Sequence, residues 1–100
     1  MAMEVTRPGT YEARVGETVT VRLDETPTTG YQWEVVGEPA GLCVEANTFE
    51  PPSSAAAGAR GQRVVTLTAA EPGSHRLRME RRRAWEPAAA ETCEIVVHVS

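Results

Sequence analysis

Lysine is absent from this 100-residue chain, and all ten basic residues are arginine. That absence reads as a mark of GC-rich coding and excludes no function. Long apolar runs are missing too: no stretch approaches the roughly 20 residues that a membrane-spanning helix needs. The N-terminus, Met1-Ala2-Met3-Glu4-Val5, has no basic segment followed by an apolar one, so no secretory leader is expected. The chain as it stands therefore reads as cytoplasmic, or as secreted if a leader has been removed. A net charge of −4 argues against a general nucleic-acid binder. Potential metal ligands are few and scattered. Cys43, Cys93, His75 and His98 lie far apart without a Cys-x-x-Cys, unlike the roughly four ligands at closed spacing of a zinc site. No glycine elbow or oxyanion loop flanks either cysteine, so a Cys–His nucleophile has no support. The fourteen carboxylates are spread along wet strand faces, and paired acid chemistry has none either. The chain reads as a non-enzyme with no cofactor, metal, nucleic-acid or membrane partner.

Helical periodicity is also lacking, and what replaces it is alternation. Apolar residues recur at every second position in Tyr11, Ala13 and Val15, in Val19, Val21 and Leu23, and in Tyr31, Trp33 and Val35. The same period runs through Leu42, Val44 and Ala46, then Val65, Leu67 and Ala69, then Leu77 and Met79, and finally Ile95, Val97 and Val99. Turn residues separate these runs, as in Gly16-Glu17 and Glu71-Pro72-Gly73-Ser74. Residues 53–59 and Ala88-Ala89-Ala90 are alanine-rich, but Pro51-Pro52, Gly58 and Pro87 make loops of them rather than long helices. Short strands at regular intervals predict an all-β fold, an immunoglobulin-like antiparallel sandwich of about seven to eight strands. One hundred residues make a single domain over 1–100, able to bury roughly 60–68% of its unfolded surface without staples. Strand phase turns Cys43 outward and Cys93 inward with Ile95, Val97 and Val99. That opposition disfavours a bridge and predicts two free thiols.

One decapeptide is more structured than a turn requires. In Asp24-Glu25-Thr26-Pro27-Thr28-Thr29-Gly30-Tyr31-Gln32-Trp33, Pro27 fixes one dihedral and Gly30 can supply a positive φ. β-branched Thr28 and Thr29 stiffen the tip between them, and the Tyr31/Trp33 alternation anchors the loop in a strand. If the strands run as read, the loops around Thr28, Gly58 and Trp85 join strands of the same sense and emerge at one end. Trp33 shares the phase of Val35 and belongs in the core. Trp85 follows three arginines in a polar loop without alternation, where an exposed indole suits an interface. Arg76, Arg78, Arg81, Arg82 and Arg83 crowd eight positions, either as a solvated strand face or as a positive rim that steers an acidic partner.

These residues resemble the chagasin family, which inhibits papain-like cysteine proteases. The family's first loop reads Asn-Pro-Thr-Thr-Gly followed by an aromatic; here Thr26 stands for the Asn. Its Arg-Pro-Trp appears as Arg83-Ala84-Trp85, and its Gly-rich stretch as Ala57-Gly58-Ala59-Arg60-Gly61, in the family's order. The resemblance implies a monomer that acts as a reversible, competitive wedge in the cleft of a papain-like cysteine protease. Thr26, Pro27, Thr28, Thr29, Gly30 and Tyr31 would block its centre. Arg83, Ala84 and Trp85 would contact the primed side, and Gly58, Ala59, Arg60 and Gly61 the non-primed side. The lost proline is expected to free the third loop, and Arg60 to add bulk to the second. The alternative is an immunoglobulin-like protein-interaction module that does not inhibit proteases.

Overall fold

The two-residue period is realised as eight strands. A computed structural model describes residues 2–26, 30–37, 39–52 and 60–100. The strands are β1 (Ala2–Val5), β2 (Gly9–Ala13), β3 (Thr18–Glu25), β4 (Gln32–Gly37), β5 (Leu42–Glu50), β6 (Gly61–Ala69), β7 (Gly73–Arg82) and β8 (Glu91–Val99). They form two four-stranded sheets, I in the order β1-β3-β6-β5 and II in the order β2-β8-β7-β4. No helix occurs among the described residues.

The β-sandwich is as expected, but it is not antiparallel throughout. β1 pairs in parallel with β3, and β2 in parallel with β8; the other pairings are antiparallel. Between β1 and β2, Pro8 lacks the N–H that a continuing ladder would use. There the chain leaves sheet I for sheet II, so one leading segment borders both sheets. The Tyr11 hydroxyl donates to the Arg7 carbonyl across this step at 2.7 Å.

Between the sheets lies the core. Val19, Val21, Leu23, Val65, Leu67 and Ala69 of sheet I face Trp33, Leu77, Met79, Cys93, Ile95 and Val97 of sheet II, all buried. Val15 and Ala46 are expected inward positions that fail. Val15 lies beyond the end of β2 and is 51% exposed, its N–H bonded to the Ser100 carbonyl. A register shift between Val44 and Ala46 reverses the phase of β5, so Ala46 points to solvent and the strand runs on to Glu50.

The thiols are separate, with Cys43 exposed and Cys93 buried. Burial, with a smaller contribution from the Glu91 carboxylate, pushes the Cys93 thiol pKa up and keeps it protonated. Reducing agent is therefore expected to leave the melting temperature unchanged, and a thiol reagent to modify one cysteine in the native protein and two after unfolding. A melting temperature several degrees lower on reduction would reveal a bridge, worth ~2–4 kcal/mol.

Candidate functional site

Strand register gathers three loops at one end of the sandwich. Glu25 at the end of β3 sits opposite Gly61, and Glu50 at the end of β5 opposite Gln62. In sheet II, Gln32 faces Arg82 and Arg81 faces Glu91. Loop 1 (26–31), loop 2 (51–60) and loop 3 (83–90) therefore leave from the same end, as the strand order predicted. Pro27, Thr28, Thr29, Gly58 and Ala59 lie outside the described residues, so the geometry below is that of the loop bases and of loop 3.

Loop 1 is closed at its base by Trp33, which is 6% exposed in the core. Its backbone N–H donates to Glu25 Oε1 at 2.7 Å, and its indole Nε1–H donates to the Asp24 carbonyl at 3.1 Å. Both bonds cross from β4 in sheet II to β3 in sheet I. The loop therefore bridges the two sheets with its ends fixed. Thr26 and Gly30 are half-buried beside this closure. Gly30 has φ +78°, a conformation that glycine adopts without a Cβ clash. A Cβ there would also lie 3.0 Å from the Trp85 ring and 3.8 Å from Arg83 Cγ. Glycine thus serves both the turn and the close approach of loop 3.

Tyr31 does not enter the strand or the core as its alternation implied: β4 begins at Gln32, and the ring is half-buried. It is held instead by arginine. The Arg83 guanidinium lies 4.2 Å from the Tyr31 centroid and 5.7 Å from that of Trp85, with Arg81 5.4 Å from Tyr31. Such contacts contribute ~0.5–1 kcal/mol each where exposed, and more when desolvated. Loops 1 and 3 thereby form one polar–aromatic stack.

Loop 3, expected to be freed by the missing proline, makes several contacts of its own. Glu86 N–H donates to the Arg83 carbonyl at 3.1 Å, closing a turn with Ala84 and Trp85 at its tip. The Arg83 guanidinium meets Glu86 Oε1 at 3.2 Å across the same turn. Ala90 N–H bonds to the Arg81 carbonyl at 2.8 Å and closes the loop's base. Trp85 is presented at the tip, 71% exposed. Cation–π contact, ion pair and turn hydrogen bonds hold the loop.

From loop 2 the structure describes Pro51, Pro52 and Arg60. Arg60 is exposed, with Nη1 3.6 Å from Asp24 Oδ2. It lines a polar cleft of about 220 Å³ with Asp24, Thr26, Tyr31 and Arg81, which joins loop 2 to loop 1. Gly61 is different. It is buried at the start of β6, and a Cβ there would run into the Phe49 ring and the Glu50 carbonyl. Its role is to let β5 and β6 approach.

The arginine cluster settles as a solvated, paired face. Arg76 meets Glu94 at 3.9 Å, Arg78 meets Glu80 at 3.4 Å, Arg81 meets Glu91 at 3.3 Å and Arg82 meets Glu34 at 2.9 Å, while Arg83 holds Glu86. Local pairing cancels the field that a steering rim needs. Two residues at this end were missed in the sequence, Glu25 and Arg63. The signal for Glu25 was present: it continues the inward phase of Val19, Val21 and Leu23, and a carboxylate on a core phase demands a partner.

The profile of the Chagasin family peptidase inhibitor I42 matches residues 12–99. No curated protein sequence matches the chain. Solved structures share its fold. The cysteine protease inhibitor EhICP2 from Entamoeba histolytica superposes with a TM-score of 0.82 at 18% identity, over 99% of this chain and 96% of its own. PbICP-C, solved in complex with falcipain-2, gives 0.72 at 17% identity, over 99% and 98%. Leishmania mexicana ICP gives 0.66 at 28% identity, over 94% and 88%. The two likenesses at 17% and 18% bear on architecture alone. The profile match runs from β2 through β8 and takes in all three loops. On that match, the chain belongs to the chagasin family of peptidase inhibitors.

Proposed function

We propose that this protein inhibits papain-like cysteine proteases reversibly and competitively, by seating the loop end of the sandwich in the active-site cleft. The observation that carries this reading is the joined end itself: Trp85 is displayed over Gly30, and Arg83 stacks between it and Tyr31. Trp, Tyr and Arg are the residues that most often anchor interfaces. A surface whose side chains are already locked loses little entropy on binding. Thr26 to Tyr31 would fill the centre of the cleft, Arg83 to Trp85 one flank and Gly58 to Arg60 the other, with Gly61 holding the second flank from beneath. An interface of roughly 800 Å² per partner is ordinary for a protease and its inhibitor. Both ends of loop 1 are pinned through Trp33, so substrate-like extension and cleavage are disfavoured.

Titrating papain or cathepsin L is expected to show competitive inhibition, with the inhibitor recovered intact after incubation. Absence of inhibition across several such enzymes at micromolar concentration would replace this reading with that of a protein-interaction module.

A further inference from the structure

Glu25 is the one buried charged residue among those described, 4% exposed at the end of β3. Its Oε1 accepts from the Trp33 backbone N–H at 2.7 Å and from Arg63 Nε at 3.2 Å; its Oε2 accepts from Arg63 Nη2 at 2.8 Å. The remaining arm of Arg63, Nη1, reaches Asn47 Oδ1 on β5 at 3.4 Å. Four strands meet at this carboxylate and its partner. β3 and β4 are the two stems of loop 1, and β5 and β6 are the two stems of loop 2. Next door, the Asp24 carbonyl takes the Trp33 indole and the Asp24 carboxylate faces Arg60.

We infer that Glu25 is a positioning residue, which with Arg63 sets the relative placement of loops 1 and 2 for binding. Desolvation makes a buried ion pair a weak source of net stability, and a well-packed apolar pair often serves a core equally well. What an apolar pair cannot supply is directed geometry. The two-pronged approach of Arg63 fixes the carboxylate plane, and the carboxylate fixes the Trp33 backbone N–H, two residues past loop 1. The inference rests on the inhibitory reading above, but its effect on the loops is measurable without a protease.

The test compares Glu25→Gln and Arg63→Met with Val97→Ala, a core truncation placed toward the opposite end of the sandwich. Inhibition of papain is measured well below every melting temperature. Amide hydrogen exchange is followed in the free proteins at Thr26 and Tyr31 in loop 1 and at Arg60 in loop 2. Glu25→Gln and Arg63→Met are expected to raise the inhibition constant about tenfold, mainly through faster dissociation, as preorganisation is lost. Both should speed exchange in the two loops together. Val97→Ala should lower the melting temperature while leaving inhibition and loop exchange unchanged. The inference is overturned if the Glu25 and Arg63 variants lose only thermal stability, or if exchange rises in one loop and not the other. If one of them fails to fold, the other decides. If the wild type fails to inhibit, the inhibitory reading falls, and joint exchange of the two loops still decides the role of Glu25.

Discussion

Trp33→Ala is expected to destabilise the protein by about 3–5 kcal/mol, the usual cost of removing a buried Trp from a core. For a domain of this size that lowers the melting temperature by roughly 15–30 °C. The effect has two sources. Trp33 is buried in the core between the sheets, near Leu23 and Cys93, and its truncation leaves a cavity at the loop end. Its indole N–H is also one of the two bonds that close loop 1. Inhibition should therefore weaken along with stability, even at temperatures where the variant is folded. Thermal melts and inhibition constants of the alanine variant check both effects. A melting temperature within a few degrees of wild type would remove Trp33 from the core.

Trp85→Ala should behave in the opposite way. The side chain is exposed at the tip of a closed turn, and truncations at such surface sites usually change stability by less than about 0.5 kcal/mol. If Trp85 anchors the interface, losing it costs about 2 kcal/mol of binding or more, a rise in the inhibition constant of roughly 30-fold. The contrast between the two tryptophans is the informative result, because aromatic content is lost equally in both. An early-melting Trp85→Ala with an unchanged inhibition constant would make the indole a cover for Gly30 rather than a contact for the protease.

Strand phase was readable wherever one face is buried, because alternation is then imposed by the core. Val19 to Leu23, Val65 to Ala69 and Ile95 to Val99 all face as their period requires, and the opposite facing of the two thiols follows from the same rule. The loop end was readable for a related reason: once strand directions are known, which loops share an end is geometry. Reading failed where a backbone event resets the phase. The register shift between Val44 and Ala46 and the end of β2 before Val15 are cases of this kind, and no distinctive residue marks the first. β1 was invisible because Ala2–Val5 is four residues long with a single buried side chain. The parallel pairing of β1 with β3 and of β2 with β8 was invisible too, since the period of a strand says nothing of its neighbour's direction. Charge partners failed for the same reason. The arginines were countable, but Glu34, Glu91 and Glu94 reach them only across strands. Loop 3 is held by contacts scattered from Tyr31 to Ala90, which no local motif reports.

The pairing of β2 with β8 sets an order in time. Gly9 to Ala13 lie against Ile95 to Val99, and backbone bonds between Ala13, Val15 and Ser100 tie off the same seam. The first strand of sheet II is thus completed by the last strand of the chain. During synthesis β2 emerges before β3 to β7 and has no sheet partner until β8 follows them. Sheet I, whose strands all precede residue 70, can assemble first, with its apolar face waiting for the other half. Closing so long a loop is slow compared with local pairing, so the protein belongs with the all-β folds that take milliseconds to seconds. The interval in which an unmatched half-sandwich exists is the period when this chain is most exposed to wrong partners.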